Sequence, residues 1–96
     1  MSLHPAPADT GIVFERLDSP LARAERQITV APAALLETAL CTRIGNGAGL
    51  TVSTIEHLMA ALAGCGVHNA WVRLDGPEVP ILDGSARPFV EAIMAA

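Results

Sequence analysis

Polar and apolar positions alternate with a period of two in three stretches of the chain and recur with a helical period in two others. Residues 11–17 place Ile12 and Phe14 on one face and Glu15 on the other, which predicts a strand closed by Asp18-Ser19-Pro20. The ten residues before it contain Pro5, Pro7 and a turn-like Ala8-Asp9-Thr10-Gly11, and read as a lead-in segment. After an Ala/Arg-rich connector, residues 27–31 predict a short edge strand stopped by Pro32. Residues 37–45 alternate more cleanly, with Thr38, Leu40, Thr42 and Ile44 on one face against Ala39, Cys41 and Arg43 on the other. The glycine-rich run from Gly45 to Gly49 then predicts a flexible turn.

From Ser53 to about Gly64 the period changes to that of a helix. Ile55, Leu58, Met59 and Leu62 form one apolar stripe. At about 100° per residue, His57 falls roughly 150° from the middle of that stripe. Its neighbours on that side, Ala60, Ala61 and Gly64, are small. A purely solvated helix face favours longer polar residues, so a second body is expected against it. Gly64-Cys65-Gly66 stops the helix. Residues 69–75 alternate again, Ala70, Val72 and Leu74 against Trp71, Arg73 and Asp75. Asp83-Gly84-Ser85 predicts a turn with Ser85 as N-cap, followed by a helix with Phe89, Val90, Ile93 and Met94 as its apolar stripe. That helix lacks a C-terminal stop signal before Ala96, so the chain reads as cut there. The element order predicts an α+β two-layer sandwich, a small mostly antiparallel sheet carrying two helices.

Composition narrows the function classes. Ninety-six residues make one small domain at most, and 51% apolar with 17% charged residues is a folding composition. The net charge of −4 and the absence of any basic run argue against a nucleic-acid partner. No stretch approaches the ~18 apolar residues that span a bilayer, and the N-terminal residues lack a secretory signal's positive start and apolar run. The two cysteines, Cys41 and Cys65, are too few for a disulfide scaffold, which points to the cytoplasm.

The candidate chemistry lies in Thr51-Val-Ser-Thr-Ile-Glu-His57. Glu56 and His57 sit in the first helical turn, where the positive helix end favours an ionised carboxylate and a neutral imidazole. A carboxylate there suits a general base that takes a proton from water, and the imidazole suits metal ligation. Two plainer readings stand beside these. Ser53-x-x-Glu56 is also a capping box, and a single histidine is often a surface or interface residue. No second or third ligand is evident, because His4 and His68 read as loop residues and Asp75, Glu78 and Asp83 as turn chemistry.

The run Val52-Ser-Thr-Ile-Glu-His-Leu-Met-Ala-Ala-Leu-Ala-Gly64, followed by Asn69-Ala70, Asp75-Gly-Pro-Glu-Val-Pro-Ile-Leu-Asp-Gly-Ser-Ala86 and Pro88-Phe89-Val90, closely resembles the zinc-dependent UDP-3-O-acyl-N-acetylglucosamine deacetylases of bacterial lipid A synthesis. The likeness extends back through Leu40-Cys41-Thr42 to Pro5-Ala-Pro-Ala-Asp-Thr-Gly11. It implies a ribosomal-protein-S5-domain-2-like fold, incomplete here, and two similar domains with the active site between them. On that view this chain is part of the first domain, lacking its first strands and the whole second domain. The resemblance makes His57 a Zn2+ ligand, Glu56 the catalytic base and Cys41 a residue of the active-site passage, although on its own Cys41 reads as a small buried apolar residue. The implied reaction is hydrolysis of the 2-acetamido group of the sugar nucleotide, with release of acetate. The remaining ligands would come from the absent C-terminal domain, so this chain alone is expected to be inactive and to bind zinc weakly. A rival reading is a non-catalytic interaction module with the same sandwich. An uncovered edge or face would also favour self-association.

Overall fold

Two parallel strands, β2 (Ile12–Arg16) and β7 (Ala70–Leu74), form the centre of a four-stranded sheet. β1 (Ser2–Pro5) lies antiparallel on the outer side of β7, and β3 (Gln27–Thr29) antiparallel on the outer side of β2. Phe14 is in register with Val72 on one side and Ile28 on the other, and all three are essentially fully buried. A parallel pair cannot be joined by a tight turn, so the chain between β2 and β7 must cross over. That connection holds β3, a second sheet and helix α1 (Glu56–Gly64). The computed structural model describes residues 1–31, 34–37 and 42–95, the statements below referring to these.

The second sheet is a three-stranded antiparallel one of β4 (Leu35–Glu37), β5 (Arg43–Gly45) and β6 (Thr51–Ser53), in that order. Its β5–β6 loop takes Gly47 and Gly49 at φ +78° and +85°, where a side chain would be strained. Asn46 pins this loop to the main sheet by donating its carboxamide N–H groups to the carbonyls of Glu25 and Gln27. Ile44 and Val52 carry the inner face of the small sheet into the same core as Ile12, Phe14, Val72, Leu58 and Leu62. Helix α2 (Arg87–Ala95) packs against α1 and adds Phe89 to that core. The Ala86 carbonyl accepts the Val90 amide, so the cap position falls on Ala86, one residue after the expected Ser85, whose hydroxyl still accepts the Arg87 amide. The result is the α+β sandwich that the periodicity predicts.

Several expectations change in detail. The lead-in segment contains a strand, β1, which places His4 in a sheet rather than a loop. Residues 37–45 do not form one strand: Leu35–Glu37 and Arg43–Gly45 are separate strands paired with each other, with a register irregularity between them. Pro32, Thr38, Ala39, Leu40 and Cys41, including the assignment of Cys41 to an active-site passage, lie outside the described residues. Met94 is 73% exposed, one position beyond the stripe of Ala86, Phe89, Val90 and Ile93 that meets the core. On α1 the fully covered residues are Leu58, Ala61 and Leu62, with Ile55 just before them, whereas Met59 is only partly covered. The buried face of α1 is therefore rotated toward Ala61.

The outer face of the main sheet hides a charge. Glu15 is only 3% exposed, and three guanidinium groups surround its carboxylate: Arg26 Nε at 3.2 Å, Arg73 Nε at 3.2 Å and Arg23 Nε at 3.5 Å. Arg73 also lies over the Trp71 ring, 5.8 Å from its centroid. Burial pushes the Glu15 carboxyl up, but the Arg26 hydrogen bond and charge, the Arg23 charge and the Arg73 hydrogen bond together outweigh it. The net shift is below the ordinary value of 4.5. The partner arginines arrive from the 3-10 turn Arg23–Arg26 and from β7, so this one carboxylate ties a connector and two strands together.

Two stability predictions result. Glu15→Gln should cost about 2 kcal/mol, lowering Tm by roughly 8–16 °C, because it leaves three arginines around a neutral group. A depressed folded pKa gives stability that is fully present above the unfolded value, here about 4.5, and is lost as pH falls through the folded value. The Tm gap between wild type and variant should thus be constant at neutral pH and close on acidification; a gap that widens in acid would contradict it. On α1, Ala61→Leu should overpack the core at a cost of about 1–3 kcal/mol, while Ala60→Leu on the exposed side should stay within about 0.5 kcal/mol. Denaturant titration separates the two.

Candidate functional site

The start of α1 is built by a sharp change of backbone direction. β6 ends at Ser53, Thr54 takes a left-handed conformation at φ +63°, Ile55 returns to the right-handed region, and α1 opens at Glu56. A β-branched residue at positive φ is strained by about 1–3 kcal/mol and needs its surroundings to hold it there. The surroundings do so. The Thr54 and Ile55 amides donate to the Thr42 carbonyl at 2.8 and 3.4 Å, and the Thr54 hydroxyl donates to Glu78 Oε2 at 3.0 Å. Ser53 is bridged to the segment after β7, its amide donating to the Pro77 carbonyl and its carbonyl accepting the Val79 amide.

This geometry removes the capping-box reading of Ser53 and Glu56. Ser53 belongs to β6 and its hydroxyl accepts from Arg43 Nε at 3.1 Å, so it is not the helix cap. The cap position falls on Ile55, without a side-chain capping bond. Glu56 does not reach back to Ser53. Its Oε2 instead accepts the Thr42 amide at 3.2 Å. Glu56 is half-buried, with one oxygen anchored and Oε1 without a hydrogen-bond partner among the described residues.

His57 is also half-buried and lies outside the hydrophobic core. With the covered face centred between Ala61 and Ile55, the imidazole is roughly 110° from its middle, on the flank of α1 rather than on the far side. Ala61, expected beside it on an outward face, is instead buried, while Ala60 and Gly64 are exposed as anticipated. Among the described residues the His57 ring makes no hydrogen bond or ion pair, and no group of three or more His, Cys, Asp or Glu side chains converges to hold a metal. A catalytic zinc takes three protein ligands and a water. The described residues fit such a site only as the donors of one nitrogen.

The other titratable candidates are accounted for. His4 Nε2 lies 2.8 Å from the Ser2 hydroxyl on β1, and His68 is an exposed loop residue. Asp83 accepts both the amide and the hydroxyl of Ser85, and those bonds, the hydroxyl's first, hold its carboxyl below the ordinary value. That is turn chemistry, as expected. Glu78 is different: it contacts the strained Thr54. Sequence reasoning missed Thr42, Thr54 and Glu78, since nothing in a Thr-Ile-Glu-His run announces a left-handed threonine.

The whole chain, residues 1–96, matches the family model described as LpxC, UDP-3-O-acyl N-acetylglycosamine deacetylase. The UDP-3-O-acyl-N-acetylglucosamine deacetylase of Phenylobacterium zucineum is 56% identical over 93 residues, covering 97% of this chain and 31% of that protein. Those of a Geobacter species and of Vibrio cholerae are 56% and 45% identical, each alignment covering all of this chain and 30% of the relative. The chain thus spans about 30% of the length of the curated relatives it matches. No helix among the described residues is long and apolar enough to cross a membrane. Matched by its family model from the first residue to the last, the chain belongs to the UDP-3-O-acyl N-acetylglycosamine deacetylases.

Proposed function

We propose that this chain supplies the general base, Glu56, and one zinc ligand, His57, to a cytoplasmic hydrolase that removes the 2-acetyl group from UDP-3-O-acyl-N-acetylglucosamine in lipid A synthesis. The observation that carries the reading is the state of the pair: two adjacent half-buried groups at one helix start, one a ring without a hydrogen-bond partner among the described residues and the other a carboxylate with a single anchored oxygen. The matched deacetylases supply the substrate class and the reaction.

In the reaction, water adds to the acetamido carbonyl and the C–N bond breaks, giving acetate and a free amine. When bound, zinc supplies Lewis acidity that polarises the carbonyl and makes the water more acidic. The protein's part at Glu56 is set by its hydrogen bond. The Thr42 amide fixes Oε2, so Oε1 is the oxygen that takes the proton from the attacking water and passes it to the departing nitrogen. Because the described residues contribute one imidazole, the remaining metal ligands come from elsewhere in the active enzyme. The described residues by themselves would therefore hold zinc weakly and not turn over.

The two roles separate experimentally in the full-length gene product. His57→Ala should strip most of the bound zinc, measured by plasma mass spectrometry after dialysis. Glu56→Gln keeps a carbonyl oxygen for the Thr42 amide, and should retain zinc while kcat falls about 10²–10⁴-fold. Full zinc content and turnover in both variants would refute the assignment.

A further inference from the structure

We propose that Glu78 and Thr54 form a positioning pair that aims the first turn of α1, and through it Glu56 and His57, at the reacting groups; this rests on the roles given to those two residues above. The starting observation is a cost without an obvious return. Glycine would adopt φ +63° freely and asparagine with little strain, whereas threonine is among the worst residues for that conformation. What threonine brings is a hydroxyl. That hydroxyl is used, donating to Glu78 Oε2 at 3.0 Å across 24 residues of sequence.

Glu78 is itself fixed by backbone. It bridges to Ser53, with the Pro77 carbonyl and the Val79 amide gripping the two sides of the Ser53 peptide backbone, and Val79 is fully buried. The carboxylate thus reaches Thr54 from a rigid support. On the other side the Thr42 carbonyl takes the Thr54 and Ile55 amides, and the Thr42 amide takes Glu56 Oε2. Thr54 is held between these two supports and is 7% exposed.

Release of the hydroxyl would let Thr54 relax toward an ordinary backbone conformation. Leu58, Ala61 and Leu62 would still bind α1 to the core, so the helix would persist while its first turn shifted. Glu56 and His57 are the residues in that turn. A misplacement of the order of 1 Å there is enough to reduce catalysis strongly without altering how substrate is held.

The test uses the full-length gene product with UDP-3-O-acyl-N-acetylglucosamine as substrate and cobalt(II) in place of zinc as a spectroscopic probe. Thr54→Val and Glu78→Ala each remove the hydrogen bond and should each lower kcat by about tenfold with KM changed by less than about twofold. The double variant should be no worse than either single one, because the two residues act as one unit. Thr54→Ser and Glu78→Gln keep a donor and an acceptor, and should restore most of the turnover. The visible cobalt bands should move in the first pair of variants and not in the second. Wild-type kcat and cobalt bands in Thr54→Val and Glu78→Ala, beside an inactive Glu56→Gln, would overturn the positioning role and leave the base in place. Equal losses in the conservative variants, accompanied by a lowered Tm, would overturn it in favour of simple stability. Undiminished activity in Glu56→Gln would overturn the underlying reading itself.

Discussion

The backbone of Thr42 joins the small sheet to the start of helix α1. Its carbonyl receives the amides of Thr54 and Ile55, and its amide is received by the Glu56 carboxylate. Thr42 immediately precedes β5, so the small sheet and the start of α1 are linked by hydrogen bonds at one residue. The core residues Ile44 and Val52 fix that sheet from beneath. The position of the candidate base therefore depends on the packing of a three-stranded sheet that does not itself carry Glu56 or His57. The parallel pairing of β2 with β7 makes this possible, because the crossover it requires leaves room for the small sheet and α1 on one path.

What the sequence reveals and conceals follows from how local each interaction is. β2, β7 and α2 show strong alternation or a strong helical stripe, and the structure places them within one or two residues of expectation. β1 escapes notice because prolines at its end and just beyond mimic a connector, although Pro5 at the edge of a sheet costs little. The start of α1 is misjudged by three residues because Ser53-x-x-Glu56 satisfies the pattern of a capping box while both side chains are committed elsewhere, to Arg43 and Thr42. Both commitments span at least ten residues of sequence and leave no periodic trace. Ala61 misleads for a different reason. Alanine is neutral in a pattern of large apolar residues, so replacing Met59 by Ala61 in the buried set rotates the face without changing the period.

The same distinction applies to the candidate site. Glu56 and His57 stand out in the sequence because their adjacency at a helix start is a local feature. The surroundings that turn them from a pattern into a geometry are not local. Thr42, Thr54 and Glu78 come from three segments, and they meet only because β5, β6 and the residues after β7 converge at the N-terminal end of α1. Glu15 is a parallel case on the opposite side of the sheet. Its burial could not be anticipated, as its arginine partners lie 8, 11 and 58 positions away.

These two glutamates also differ in how their carboxylates are held. Glu15 is enclosed, with both oxygens paired to guanidinium groups, and its pKa is depressed. Glu56 has one oxygen held by a neutral amide, which orients the group without neutralising its charge. A backbone donor next to a fixed strand gives the carboxylate a direction and leaves its second oxygen unclaimed among the described residues, which is the arrangement the proton transfer proposed for Glu56 requires.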